Sequence, residues 1–177
     1  MTGPGAELGR ALVTHPACST VTLTGSTASG IDVLKLAAPG VVKCLLELGG
    51  KAPVLVAADA DLDWAARATV WARFWNVGQA CIAAERVYVD EAIHDTFVRK
   101  VTDLVGRLTL GPGTRPGTDL GPLCSVHARD QVAKDVAAGV AAGGRVVIGG
   151  RAPTDPALAR GAFYSPTVVT GVDDANP

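Results

Sequence analysis

The sequence predicts an α/β protein with a mostly parallel sheet. Two observations carry this prediction: short β-branched or apolar runs alternate with longer segments of helical spacing, and glycine or proline stands between most of them. Turns concentrate these two residue types, so they mark the joints between elements. Strands that alternate with helices favour parallel pairing, because each helix returns the chain to the same edge of the sheet.

The first half of the chain contains six predicted elements. A short helix ends where His15 and Pro16 stop it. The β-branched run TVTLT predicts a strand, a glycine turn leads into the next helix, and Pro39-Gly40 ends that helix. Asp61 offers an N-cap to the last helix of this half. In order, we predict helix 5–14, strand 20–24, helix 28–38, strand 41–48, strand 52–57 and helix 62–75.

The second half continues the alternation. A strand at 86–89 precedes a helix at 92–108, whose apolar residues recur at helical spacing. A loop rich in glycine, proline and threonine occupies 111–122, and a helix follows at 125–142. Strands are predicted at 145–148 and 163–169. The stripe of the helix at 92–108 consists of Ile93, Phe97, Val101, Leu104 and Leu108.

Charge and hydropathy argue against nucleic-acid and membrane partners. The formal net charge is −1 and the basic residues are scattered, whereas a nucleic-acid site needs a basic face. No apolar run approaches the roughly 20 residues of a membrane helix. The start MTGPGAELGR has neither the basic start nor the apolar run of a secretory leader. A cytoplasmic location is therefore expected.

Cysteine and histidine spacing predicts no metal site. The four cysteines, Cys18, Cys44, Cys81 and Cys124, form no C-x-x-C pair. The three histidines lie far apart and outside any H-E-x-x-H pattern. We therefore expect reduced thiols and surface or capping histidines.

Residues 22–30, TLTGSTASG, predict a strand, a glycine turn and a helix start. Amides at a helix N-terminus favour a phosphate. The alternative is an ordinary turn in which Ser26 or Thr27 caps the helix. Upstream, GPGAELG (residues 3–9) spaces its glycines as G-x-G-x-x-x-G, which departs from the dinucleotide fingerprint G-x-G-x-x-G.

Glu47 is a carboxylate within an apolar strand. Leu45, Leu46 and Leu48 surround it, so we expect it to be buried, and burial of a carboxylate raises its pKa. Such a group at the end of a strand, beside Gly49-Gly50, is where a general base is expected. A solvated residue at the strand end, or an ion pair with Lys51, is the alternative.

Cys81 opens a run of small residues, Ala80 to Ala84. Small neighbours give access to the sulfur and bring backbone dipoles close, which a nucleophilic thiolate requires. The alternative is a buried structural thiol, since free cysteine is among the most buried residue types. A thiol hydrolase would need a histidine partner, and no histidine lies in a comparable motif. The other three cysteines are expected to be structural.

Taken together, these segments resemble the aldehyde dehydrogenase family. The likeness rests on three motifs in order: TLTGST (22–27), LELGGK (46–51) and GQAC (78–81). It also rests on the 34 positions between Glu47 and Cys81 and on the flanking text ALVTHP and ADADLDWA. LTGSTASG, ELGGKAPV and GPLCS are most similar to the aminoaldehyde and betaine-aldehyde enzymes of the family.

The resemblance implies a fold and a reaction. Residues 1–48 would end a Rossmann-type cofactor domain, and residues 49–177 would begin an α/β catalytic domain. The Cys81 thiolate would attack a small-molecule aldehyde, hydride would pass to the nicotinamide of NAD or NADP, and Glu47 would activate the water that hydrolyses the thioester. The parent enzyme would be a homo-oligomer. The resemblance places Gly5, Gly9, Thr24, Gly25, Ser26 and Leu48 on the cofactor side.

The resemblance also predicts missing parts. The chain has roughly a third of the family's usual length. It lacks the upstream lysine for the adenosine ribose, the asparagine of the oxyanion hole and the downstream E-x-F-G-P segment. We therefore expect these 177 residues alone to be inactive or nearly so. The alternative is a non-catalytic product of a truncated gene with a structural or interaction role.

Overall fold

The computed structural model describes residues 2–174. It divides into two compact units, Met1–Gly50 and Lys51–Pro177. The predicted α/β class is confirmed, because helices and strands alternate in both units. The first unit consists of α1 (Gly5–Val13), β1 (Thr20–Gly25), α2 (Thr27–Ala37) and β2 (Lys43–Leu48).

The first unit is a parallel strand pair with helices. β1 and β2 pair from Thr20 opposite Lys43 to Gly25 opposite Leu48. In both strands, exposed residues alternate with half-buried ones, as expected when one face of a sheet is covered. α2 packs close to β2 at Gly30, where a Cβ atom would lie 3.0 Å from both methyl carbons of Leu48. A larger residue at Gly30 would therefore crowd this contact.

The start of β2 differs from the prediction. The sequence predicts a strand from residue 41, but β2 begins at Lys43. Val41 follows a short 3₁₀ turn, Ala38–Gly40, and adopts a left-handed conformation with φ 52°. A β-branched residue rarely takes this conformation, so the apolar character of Val41 gives no sign of the turn.

Up to residue 174, the second unit contains three α-helices and four strands. Its elements are β3 (Ala52–Val56), α3 (Leu62–Phe74), β4 (Ala84–Val89), α4 (His94–Val105), α5 (Val126–Ala141), β5 (Arg145–Ile148) and β6 (Val168–Thr170). β3 and β4 pair in parallel, whereas β5 and β6 are antiparallel. The buried cluster where α3 and α4 meet β3 consists of Val56, Ala66, Val70, Phe97, Val101 and Val105.

Local sequence explains α3 and α4. The Asp61 carboxylate accepts hydrogen bonds from the amides of Asp63 and Trp64, which caps α3 as predicted. The stripe predicted for α4 is confirmed: Phe97 and Val101 are buried, and the other three members pack against the same cluster. Burial of this stripe fixes α4 against α3 and thereby orients the loop that follows α3.

The last predicted strand is largely wrong. The sequence predicts a strand over 163–169, but only Val168–Thr170 pairs, and it pairs antiparallel to β5. Pro166 lacks the amide that a strand ladder requires, which limits pairing to the residues after it. Phe163 is nevertheless buried, with 6% of its surface exposed. Phe163 therefore contributes to the core rather than to a strand.

Candidate functional site

Four of the residues predicted for the cofactor and the base meet at one edge of the first unit. Thr24 is the register partner of Glu47, and Gly25 is the partner of Leu48. These pairs are the last rungs of the parallel ladder, and the Gly49 amide donates to the Gly25 carbonyl at 3.3 Å just beyond them. The carboxyl ends of parallel strands are where open α/β sheets bind ligands.

The start of α2 lies at the same edge. Ser26 caps the helix: its hydroxyl oxygen accepts from the Ser29 amide at 3.1 Å and lies 2.9 Å from the Ser29 hydroxyl oxygen. The capping role of Ser26 is therefore confirmed. The cap occupies the Ser29 amide, whereas the other amides of the first turn have no intrahelical partner and add to the positive end of the helix dipole. This donor set suits a phosphate, so capping and phosphate binding are compatible at this turn.

Gly5 and Gly9 lie on α1, and packing requires neither glycine. A Cβ atom at either position would meet no atom within 4 Å. Glycine in a helix is destabilising relative to alanine, so local structure does not explain why glycine occupies these two positions. The open surface beside both leaves room for a ligand.

The expected burial of Glu47 is wrong. Glu47 is exposed, and Leu45 on the same face of β2 keeps 56% of its surface exposed. Successive strand side chains point to opposite faces, so Leu46 and Leu48 lie on the side of α2 while Glu47 lies on the open side. Burial therefore gives no reason to expect a general base at Glu47. The ammonium of Lys51, the alternative partner, lies 2.8 Å from Glu85 Oε2.

Cys81 is exposed at the corner of a turn. The Ala83 amide donates to the Ala80 carbonyl at 3.0 Å, which places Cys81 and Ile82 at the two central positions. Ala83 and Ala84, which follow, are buried at 3% and 4% exposure. The small residues thus anchor the turn in the core and present the sulfur outward. The alternative of a buried thiol is wrong for Cys81.

Strained backbone joins α3 to this turn. Asn76, Val77 and Gly78 all have positive φ, at 51°, 60° and 75°. Asparagine and glycine tolerate this conformation, whereas Val77 is β-branched and does not adopt it readily. Such strain persists only where neighbouring contacts impose it, and it clusters at functional sites.

Gln79 makes contacts that sequence reasoning does not predict. Its side-chain oxygen accepts from the Cys124 amide at 2.9 Å. Its side-chain nitrogen donates to the Asn76 carbonyl at 3.4 Å, and the Asn76 side chain donates to the Gln79 carbonyl at 3.0 Å. A polar residue within a run of small ones is the signal in the sequence, although its partner 45 residues away cannot be inferred from it.

Arg73 contacts residues on both sides of Cys81. Its guanidinium donates to the Ala84 carbonyl at 3.5 Å and lies 3.8 Å from Glu85 Oε1. A Cβ atom at Gly78 would lie 3.0 Å from the Arg73 carbonyl oxygen and 3.2 Å from the guanidinium carbon. Gly78 is therefore required here both for its φ angle and for this close approach.

An aromatic groove lies beside the strained segment in the second unit. Trp71 and Trp75 stack with ring centroids 6.2 Å apart. With Phe74, Asn76 and Leu108, they line an open groove of about 410 Å³. Both tryptophans keep more than half of their surface exposed, so the groove is accessible to a small molecule.

The remaining predictions concern thiols, metals and membranes. Cys18 and Cys44 are half-buried, whereas Cys124 is exposed. Within residues 2–174, no group of three or more histidine, cysteine or acidic side chains is arranged to hold a metal ion. In the same part of the chain, no helix has the length and apolar character needed to cross a membrane.

Comparisons with known proteins identify relatives of this chain. The profile of the aldehyde dehydrogenase family matches residues 1–177. The chain is 46% identical over 170 residues to 3,6-anhydro-alpha-L-galactose dehydrogenase of Streptomyces coelicolor, covering 96% of this chain and 35% of that protein. It is 40% identical to D-glyceraldehyde dehydrogenase (NADP(+)) of Thermoplasma acidophilum, covering 98% of this chain and 35% of that protein.

Solved structures give the same result. Betaine aldehyde dehydrogenase of Staphylococcus aureus in complex with NAD+ is 32% identical and superposes with a TM-score of 0.95, covering 98% of this chain and 34% of that chain. 3,6-Anhydro-L-galactose dehydrogenase in complex with NAP is 37% identical, with a TM-score of 0.96, covering 99% and 37%. The chain thus spans about a third of the length of the relatives it matches.

Proposed function

This chain belongs to the aldehyde dehydrogenase family, and we propose that it carries the nucleophile, the base and part of the cofactor site for NAD- or NADP-dependent oxidation of a small aldehyde. The observation that carries the proposal is the exposed Cys81 on a turn anchored by buried alanines. Family membership supplies the reaction class, since the named relatives are aldehyde dehydrogenases.

Cys81 acts first. Its thiolate attacks the aldehyde carbon, a carbon–sulfur bond forms, and the carbonyl oxygen takes the electron pair and becomes the oxyanion of a thiohemiacetal. Backbone amides suit such an oxyanion, and the Cys81 amide is one candidate. The aromatic groove beside Asn76 offers an apolar surface for the carbon chain of the aldehyde.

The first unit provides the cofactor side. Thr24, Gly25 and the capped start of α2 would hold the diphosphate through backbone amides, with Gly5 and Gly9 on the neighbouring helix and Leu48 towards the nicotinamide. When bound, NAD+ or NADP+ supplies a hydride acceptor, which allows the thiohemiacetal on Cys81 to become a thioester.

Glu47 completes the reaction. Its carboxylate takes a proton from water, the water oxygen attacks the thioester carbon, and the carbon–sulfur bond breaks to release the carboxylic acid and the Cys81 thiolate. An exposed carboxylate at the edge of β1 and β2 has access to water, which supports this role without any argument from burial.

The division into a cofactor domain (1–48) and a catalytic domain (49–177), the cytoplasmic location and the homo-oligomeric parent enzyme remain predictions. The competing function is a non-catalytic one, in which the same residues are inherited but make no active enzyme.

A hybrid enzyme separates the two functions. This chain would replace the corresponding third of the Streptomyces coelicolor relative, which it matches over 170 residues. We expect the hybrid to oxidise 3,6-anhydro-L-galactose with NAD+ or NADP+, and Cys81→Ser to abolish the activity while Cys18→Ser retains it. A hybrid that folds and assembles but is as inactive as its Cys81→Ser variant would favour the non-catalytic function.

A further inference from the structure

Within residues 2–174, the Cys81 side chain makes no hydrogen bond or ion pair that could hold its turn in place. The Ala83 amide closes the turn by donating to the Ala80 carbonyl at 3.0 Å. After Cys81, the buried Ala83 and Ala84 lead into β4. Before Cys81, the chain runs through the strained segment Asn76–Gly78. The position of the Cys81 sulfur therefore depends on the contacts that fix the segment before it.

Gln79 lies between the strained segment and Cys81, two residues before the cysteine. Its backbone amide donates to the Asn76 carbonyl at 3.1 Å, and its side-chain nitrogen donates to the same carbonyl at 3.4 Å. Its carbonyl in turn accepts from the Asn76 side chain at 3.0 Å. These reciprocal contacts close the left-handed segment on itself and impose its conformation.

The side-chain oxygen of Gln79 connects the segment to a distant part of the second unit. It accepts from the Cys124 amide at 2.9 Å. The neighbouring Leu123 is buried at 9% exposure, and its amide donates to the Ala162 carbonyl at 2.9 Å. The acceptor on Gln79 is therefore tied to backbone that is itself fixed in the core.

We infer that Gln79 is a positioning residue for Cys81, which holds the nucleophile's turn against the backbone of Cys124. The inference rests on the proposed function, because a position matters only if Cys81 reacts. Gln79 touches no reacting atom in this scheme. Its effect passes through the turn, and a displacement of about 1 Å is enough to lower a reaction rate strongly.

The test uses the whole chain and two measurements. Gln79→Met keeps the length of the side chain but removes both of its hydrogen-bonding ends. We expect the exchange of the Cys124 amide with deuterium to accelerate by roughly fivefold or more, the ratio for one net hydrogen bond. Gln79→Glu keeps an acceptor oxygen and should restore slow exchange at Cys124. Gln131→Met is the matched control, since Gln131 bonds Asp135 on the exposed α5.

Alkylation by iodoacetamide, resolved by peptide mass spectrometry, reports on the thiol itself. In the unaltered chain, Cys81 should react faster than the exposed Cys124. In Gln79→Met, the Cys81 rate should fall by roughly fivefold or more, while the Cys44 rate stays unchanged and the unfolding midpoint falls only by the contribution of the lost hydrogen bond. A general loss of structure would instead raise the Cys44 rate as well.

The outcomes separate the two proposals. If Cys81 in the unaltered chain reacts no faster than Cys124, the nucleophile assignment fails and the inference fails with it. If Cys81 reacts fast but at the same rate in Gln79→Met, only the inference is overturned. Unchanged exchange at Cys124 in Gln79→Met would also overturn it, because the hydrogen bond would then not hold the turn.

Discussion

Thr24 and Glu47 are register partners on the open face of the parallel pair β1–β2. One residue after Thr24 comes the Gly25 turn, where the phosphate is proposed to bind, and Glu47 is the proposed base. A single ladder thus brings together two residues that are 23 positions apart in the sequence. In the proposed function, this shared edge serves both cofactor binding and the hydrolytic step.

Replacing Glu47 by glutamine should stop turnover after the first chemical step. In the hybrid enzyme, Glu47→Gln leaves Cys81 able to form the thioester but removes the proton acceptor for water. We expect a burst of reduced cofactor followed by a steady rate about 10²- to 10⁴-fold lower than that of the parent hybrid. Stopped-flow absorbance measures both phases. Glu91→Gln, an exposed position in the second unit, is the control and should keep the full rate.

Gly149 should tolerate no side chain. Its φ is 81°, and a Cβ atom there would lie 2.1 Å from the Pro166 carbonyl oxygen. Gly149→Ala should lower the free energy of unfolding by about 2 to 5 kcal/mol, because a left-handed conformation and a backbone clash both add cost. Urea unfolding of the whole chain measures the change.

Gly139 provides the contrast in the same unit. It lies in α5, where a Cβ atom would meet nothing within 4 Å. Gly139→Ala should raise the free energy of unfolding by about 0.5 kcal/mol through helix propensity. Equal effects of the two substitutions would contradict the backbone geometry described for Gly149.

The ion pair between α3 and α4 should make stability depend on pH in the acid range. Lys100 lies 2.5 Å from the Asp63 carboxylate, and its hydrogen bond and charge lower the pKa of Asp63 from the usual 3.8. A lowered pKa in the folded state stabilises the protein above that usual value, and the contribution is lost as the pH falls through the folded-state pKa.

Asp63→Asn should therefore flatten the acid limb of the unfolding free energy plotted against pH. Asp63 is largely exposed, so the effect is small and screened by salt. Asp59→Asn, an exposed residue just before α3, is the control. If the unfolding free energy of both variants depends on pH below 4 as steeply as that of the unaltered chain, the ion pair contributes nothing to folding.

Much of the fold and of the site is predictable from local pattern. Helical spacing locates α4 and its buried stripe, and the N-cap Asp61 locates the start of α3. Three short motifs in order are enough to indicate the family to which the chain belongs. These signals are local, so a single sequence carries them.

The errors have both local and non-local causes. Glu47 is expected to be buried because its neighbours in sequence are leucines, but a strand sends alternate side chains to opposite faces. Residues 163–169 are expected to pair along their whole length, but Pro166 lacks the amide that a ladder requires and Phe163 is buried in the core. The contact of Gln79 with Cys124 joins segments 45 residues apart, which only the folded chain shows.

The proposed mechanism requires the substrate to acylate Cys81. The most direct measurement is peptide mapping of the Glu47→Gln hybrid after incubation with aldehyde and oxidised cofactor. Trypsin releases residues 74–86 as one peptide, and Cys81 is its one cysteine. We predict that this peptide gains the mass of the acyl group and that hydroxylamine removes it. An unmodified peptide after a burst of reduced cofactor, or an acyl group on another cysteine, would contradict the account.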